Sequence, residues 1–323
     1  MMSVITPDSN NKSQYTLPIW YHPIYTNGIH PKARFPRDRY TKLLDRLTTT
    51  ELGTKFDIME PKEASRSELT MAHDPYYVDN FLNQTLTEKE VKRIGLTPWT
   101  PEIIPRTLLL VGGAISALER VVNHGGIAGN MAGGTHHAHF DFGSGYCIFN
   151  DLAVCSMIAI KKYGISKIAI LDFDVHQGDG TATILQNVPE VLTISIHCKQ
   201  NFPFRKSISD YDLELPPKAE DAAYLKMVRK ALELTTEFEP ELILFQAGVD
   251  GLTTDSLGKL NVSREGMKLR NDLVFDYVIR DSIPTVVFMG GGYSEPIGHT
   301  IDAFCDLFVS ASQANETILA NAD

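Results

Sequence analysis

Short apolar runs rich in β-branched residues alternate along this chain with longer stretches whose apolar positions recur at helical spacing. The runs predict strands at 19–25 (IWYHPIY), 56–59 (FDIM), 127–131 (IAGNM), 167–175 (KIAILDFDV), 191–197 (VLTISIH), 211–215 (YDLEL), 242–248 (LILFQAG) and 285–291 (TVVFMGG). Helices are predicted over 37–47, 105–123, 150–163, 220–236 and 263–280. In the fourth of these Ala223, Met227, Lys230, Ala231 and Leu234 share one face, with charges opposite. Strands apolar on both faces belong in a sheet covered by helices on each side, so the pattern reads as α/β with an eight-stranded, mostly parallel sheet. No proline- or serine-rich linker breaks the alternation, which gives one domain over 17–312, a loose polar start at 1–16 and a frayed tail at 313–323. In such folds the ligand site lies beyond the carboxyl ends of the strands.

Composition narrows the picture modestly. The 323 residues are 43% apolar and 22% charged, ordinary values for a globular chain with a sizeable core. Forty acidic against 30 basic residues give a net charge of −10, which repels phosphate backbones and argues against direct nucleic-acid binding. The same field attracts basic peptides or amines at long range. Cys147, Cys155, Cys198 and Cys305 form no CxxC pair, so they read as reduced thiols of a cytoplasmic protein. The start lacks a secretory pattern, and the apolar run at 108–118 is too short and glycine-broken to span a bilayer. Export by a dedicated apparatus escapes this reading, and the oligomeric state stays open.

Chemistry gathers where strands end. The run Ile168–Leu171 leads into Asp172, Asp174, His176 and Asp179 within KIAILDFDVHQGDG. Strand alternation puts Asp172, Asp174 and His176 on one side if the strand persists through them. Two carboxylates and an imidazole suit zinc, iron or manganese better than calcium or magnesium. A tight turn with helix caps is the plainer alternative, and for a single aspartate it would be preferred. LILFQAGVDG ends alike, delivering Gln246 and then Asp250, either a third ligand or a turn residue. AGGTHHAHFDFGSGYCIFND sets His136 and His137 among Gly133, Gly134, Gly143 and Gly145, where imidazoles could serve as acid and base. FMGGGYS ends on Tyr293, a phenol able to donate to an oxyanion, or a tyrosine packed in a glycine-rich turn.

In this order the paired histidines, DxDxHxGD, QxGxD and GGGY resemble the zinc-dependent histone deacetylase superfamily, whose fold is shared with arginase, over roughly residues 19–310. HQGDG and LGKLNVSREG (257–266) look closest to its class IV branch and bacterial relatives. The resemblance implies the arginase/deacetylase fold. It also implies a metal-dependent amidohydrolase acting on linear amides, a deacylase that removes acetyl or longer acyl groups from lysine in proteins or peptides. Acetylpolyamines and other small acylated amines are the alternative substrates. It assigns one Zn2+ to Asp174, His176 and Asp250, pairs Asp172 with His136 and Asp179 with His137, and makes Tyr293 the oxyanion donor. His137 would be the base and His136 a cationic helper.

Gly145, Tyr146 and Phe202 match the walls of an acyl-lysine tunnel, with Tyr146 where phenylalanine is common. A potassium ion would be held by the main-chain carbonyls of Asp172, Asp174, His176 and Ile196 and by the Ser195 hydroxyl. Arg37 is matched to an arginine behind the pocket. Glu102 is the one carboxylate in IGLTPWTPEIIP, where many relatives carry an acid that grips the substrate main chain. Three rivals remain at this stage. An aspartate-based phosphatase built on LDFDV leaves both histidines and Tyr293 idle; an arginase-like ureohydrolase needs a second metal; a module could bind acyl-lysine without turnover.

Overall fold

The structure, a computed structural model, describes residues 15–49 and 51–322. The loose start expected at 1–16 therefore falls almost wholly outside the described residues. Eight strands, β1 (Leu17–Trp20), β2 (Phe56–Met59), β3 (Ile127–Asn130), β4 (Ile168–Asp172), β5 (Val191–Cys198), β6 (Tyr211–Leu215), β7 (Leu242–Gln246) and β8 (Thr285–Phe288), form one sheet. Their order is β2-β1-β3-β8-β7-β4-β5-β6, and every pairing is parallel. The six strands β1, β3, β8, β7, β4 and β5 are buried at every position, as helices on both faces demand, and the exposed positions fall on the edge strands β2 and β6.

The long helices fall close to their predicted places, at Arg39–Thr48, Ile103–His124, Asp151–Tyr163, Asp221–Phe238 and Arg264–Asp281. Asn150 caps the third by accepting from the Ala153 N–H, and Gly164, at φ +69°, ends it. Three expectations fail for local reasons. The run at 19–25 stops at Trp20 because His22-Pro23 opens a short helix, Ile24–Asn27, with the Ile24 N–H bonded to His22 Nδ1. The run at 167–175 leaves the sheet after Asp172, whose Oδ1 takes the Asp174 N–H at 3.3 Å, a side-chain bond that competes with the ladder. The expected tail at 313–323 is instead the end of the helix Gly298–Ala322. There Ala314, Asn315 and Ile318 are buried, and Asn315 accepts from the Ile127 N–H and donates to the Thr16 carbonyl. A packing face made of small and polar residues carries little apolar signal.

The adjacent strands β3, β8, β7 and β4 end side by side, so the loops after Asn130, Phe288, Gln246 and Asp172 converge over one edge of the sheet. The histidine pair, the triple glycine, Asp250 and the aspartate cluster arrive on these four loops.

Candidate active site

Asp174, His176 and Asp250 meet at the end of β4 and β7, all buried, with one potential ligand atom from each within 4.8 Å of the others. His176 Nδ1 lies 3.0 Å from Asp174 Oδ1 and 3.0 Å from Asp250 Oδ2. The convergence is the work of the loop, since the strand has already ended. Asp250 Oδ1 accepts from the Val175 N–H and Asp174 Oδ2 from the Gly291 N–H, which hold the carboxylates in place. Gly291 must be glycine: a Cβ there would sit 1.9 Å from Asp250 Oδ2 and 2.7 Å from Asp174 Oδ2.

The electrostatics of this cup are those of a place built for a cation. Burial, then the Asp174 charge, pushes the Asp250 carboxyl up to about 7, while burial of Asp174 is outweighed by His136 and His176, which hold it well below the usual range. His176 is raised to about 10, burial being overcome by its bonds to both carboxylates. No lysine or arginine bonds either carboxylate among the described residues, and an isolated buried carboxylate costs several kcal/mol. Two carboxylate oxygens and one imidazole nitrogen around a glycine-walled cradle fit a zinc-type ion with a position left open to the cavity.

Two histidine–aspartate pairs stand beside the cup. His136 Nδ1 is 2.7 Å from Asp172 Oδ2, and His137 Nδ1 is 2.6 Å from Asp179 Oδ1. Their surroundings drive them apart. Burial alone would depress His136, but the charges of Asp172 and Asp174 raise it to about 9. Burial and then the His136 charge lower His137 to about 4 despite Asp179. At neutral pH one ring is cationic and the other is free to accept a proton. Asp179 is held well below the usual carboxylate range, its burial outweighed by His137 and His139.

Tyr293 lines the same cavity, which has a volume of about 490 Å³. Its N–H donates to Asp255 Oδ2 at 2.6 Å, and its hydroxyl has no hydrogen-bond partner among the described residues. Burial pushes the phenol well above its ordinary value, so it remains a donor. Gly145, Tyr146 and Phe202 line the cavity. Gly145, at φ +52°, leaves room for His137, whose Cδ2 would be 2.7 Å from a Cβ, and Phe202 meets the His137 ring edge-on at 4.8 Å.

One expectation shifts. The arginine behind the site is Arg39, buried, donating to the Gly292 carbonyl and the Tyr40 hydroxyl, whereas Arg37 points away to the Ile29 carbonyl. Glu102 stands at the N-cap of the helix Ile103–His124, exposed, and is not part of the cavity wall. Sequence reasoning missed His139, whose Nε2 is 3.1 Å from Asp179 Oδ2, and Asn201, 3.3 Å from His176 Nε2. It also missed Asp151, which ties down the loop before the histidines by accepting from the N–H groups of Gly134 and Thr135.

His73 was missed as well. It is fully buried, its Nδ1 donating to the His139 carbonyl at 3.0 Å and its Nε2 accepting from the Asn150 N–H at 2.8 Å. The neutral ring thus pins both ends of the segment that follows the histidine pair. Burial lowers it to about 4. Above pH 6.5 the ring is neutral folded or unfolded, and its contribution is complete. As pH falls from 6.5 toward 4 the unfolded chain takes up the proton first and that stability is lost, by about 2 kcal/mol between pH 7 and pH 5. Urea unfolding at the two pH values is expected to show this loss in the wild type and a loss smaller by that amount in His73→Gln. Equal losses would assign no such role to His73.

With this geometry in place, the sequence comparisons agree with one another. A histone deacetylase domain matches residues 33–305. An uncharacterized protein of Picosynechococcus sp. is 40% identical over 281 residues, covering 87% of this chain and 93% of its own. Histone deacetylase 2 of Arabidopsis thaliana is 31% identical over 284 residues, covering 85% of this chain and 73% of its own. The acetoin utilization protein AcuC of Bacillus subtilis is 31% identical over 299 residues, covering 84% and 76%. Among solved structures, the acetylpolyamine aminohydrolase of Burkholderia pseudomallei has a TM-score of 0.76 over 91% of this chain and 98% of that one. At 19% identity this is a likeness of fold.

Proposed function

The chain belongs to the histone deacetylase family and is a hydrolase of acetylated amides, and from that premise we propose that it removes acetyl groups from the side-chain nitrogen of lysine in peptides or proteins. The observation that supports this best is the sharing of one cavity by a cation-ready cup, one cationic and one neutral imidazole, and a free phenol. A phosphatase built on the DxD pair would leave the imidazoles and Tyr293 without work. A two-metal ureohydrolase would need a second ligand cluster, whereas among the described residues Asp174, His176 and Asp250 form the single cluster of this kind.

In this reading Asp174, His176 and Asp250 hold one zinc ion. The chemistry supplied by zinc in such a cup is polarisation of an acyl carbonyl and acidification of water. His137, neutral and steadied through Nδ1 by Asp179, takes the proton of the attacking water at Nε2 and gives it to the departing amine. His136, kept cationic by Asp172, stabilises negative charge as it develops. Tyr293 donates its hydroxyl proton in a hydrogen bond to the tetrahedral oxyanion. Phe202, Gly145 and Tyr146 confine the lysine stem and exclude water. The reading extends to potassium, with the carbonyls of Asp172, Asp174, His176 and Ile196 and the Ser195 hydroxyl as ligands. The β4–β5 register, which sets Asp172 opposite Ser195, supports that set. One catalytic unit over 17–312, completed by the packed helix end, is part of the same proposal. No described helix is long and apolar enough to cross a membrane.

The inner cavity bears on acyl length. Arg39 and Arg106 line it and are buried, so the far end of a long alkyl chain would lie against two charged guanidinium groups, a poor match for methylenes. Short acyl groups are favoured. The test is a series of lysine peptides carrying acetyl to myristoyl groups, assayed with and without a zinc chelator. Acetyl-lysine turnover that the chelator abolishes is expected, with Tyr293→Phe lowering kcat by about 10²–10³. Unchanged turnover in Tyr293→Phe would remove the oxyanion role, and binding without turnover would restore the reader-module alternative.

A further inference from the structure

Apart from the cup, the lysine and arginine charges on the cavity wall are unmatched by carboxylates in that wall. Arg39 and Arg106 lie toward its inner end, Arg93 and Lys259 at its opening, and Asp174, already committed to the cup, is the one carboxylate among the described lining residues. Neither opening residue forms a close ion pair among the described residues; the Glu90 carboxylate is bound, and held low, by the Thr87 hydroxyl and N–H, with a smaller part from the Arg93 charge. Arg93 stacks its guanidinium 4.5 Å from the Phe142 centroid, and Lys259 Nζ donates to the Gln200 carbonyl at 2.8 Å. Glu102, which could have balanced them, is not in the wall. The chain as a whole carries −10, so this cationic opening runs against the molecule's own field.

We propose that Arg93 and Lys259 make the opening a selector for acyl-lysine flanked by acidic residues and a barrier to acylated polyamines. The inference rests on the deacylase reading of the cavity and names its substrate class. A polyamine brings further ammonium groups on a short chain, so they must pass or rest beside the two cations. A peptide can instead place aspartate or glutamate there. The rest of the opening suits a peptide too, because Phe204, 88% exposed, and Leu257, 44% exposed, offer apolar contacts to the side chains that flank the acyl-lysine. Unit charges several ångströms apart in water interact modestly, yet two such pairs give about a tenfold preference at low salt. The preference fades once the screening length falls below their separation.

The experiment compares acetyl-lysine peptides of one length and sequence, flanked by aspartate, asparagine or lysine, with N-acetylspermidine, at low and high ionic strength. Expected is kcat/KM about tenfold higher for the aspartate than the lysine peptide, carried by KM with kcat alike, acetylspermidine lowest, and the ratio collapsing at high salt. In the double variant Arg93→Glu, Lys259→Glu the ratio should invert. A flat ratio with all peptides turned over, a preference for acetylspermidine, or a variant in which both charged peptides decline together overturns the selector while leaving the deacylase intact. Absence of turnover on every acyl substrate overturns the deacylase reading itself, and this inference with it.

Discussion

Replacing His137 with alanine is expected to lower kcat on an acetyl-lysine peptide by about 10³-fold or more, with KM nearly unchanged. The expectation comes from the split between the two rings. Burial and the neighbouring cation hold His137 near 4, so it is neutral at working pH and able to accept a proton, while His136, near 9, is already charged. Deleting His137 removes the one imidazole that can move a proton in both directions of the reaction. His136→Ala removes a fixed charge, and its smaller loss should come from the same kcat. Asp179→Asn keeps the contact at His137 Nδ1 without its charge, and should fall between the two. Single-turnover rates on one peptide settle the ranking. If His136→Ala proved the more damaging, the proton carrier would have to be reassigned.

How much of this could be read from the chain alone depends on whether the signal was local. β4 and β7 were legible because Ile168–Leu171 and Leu242–Phe245 are apolar on both faces. The cup was legible because charged residues crowd the ends of those same strands. The choice between Arg37 and Arg39 was also open to reading. Arg39, Leu43 and Leu47 fall at i, i+4 and i+8 on the helix Arg39–Thr48 and are all buried, so the apolar stripe itself turns Arg39 inward. His73 had no such signal. Its partners, His139 and Asn150, lie 66 and 77 positions away. The cationic opening was invisible for a related reason. Arg93 and Lys259 come from distant segments, and a net charge of −10 suggests the opposite sign.

Asp250→Asn should abolish turnover and, more informatively, abolish stabilisation by zinc. In the protein without zinc the Asp250 carboxyl is raised to about 7 by burial and by the Asp174 charge beside it, which the His176 ring at 3.0 Å only partly offsets, so its ionised form stands in an unfavourable place until a metal ion arrives. Asparagine keeps an oxygen able to accept from the Val175 N–H, as Asp250 Oδ1 does at 2.8 Å, and takes away the repulsion. The zinc-free variant is therefore expected to melt within about two degrees of the zinc-free wild type, or slightly above it. The wild type, by contrast, should gain stability as RT ln(1 + [Zn]/Kd), about 4 kcal/mol at a thousandfold excess over Kd. The variant should show little of that gain, having lost an anionic ligand. Melting curves with and without zinc separate this from a folding defect, because a merely structural Asp250 would lower both curves of the variant equally. A variant that kept the full zinc-dependent shift would remove Asp250 from the cup and leave Asp174 and His176 too few to hold the ion.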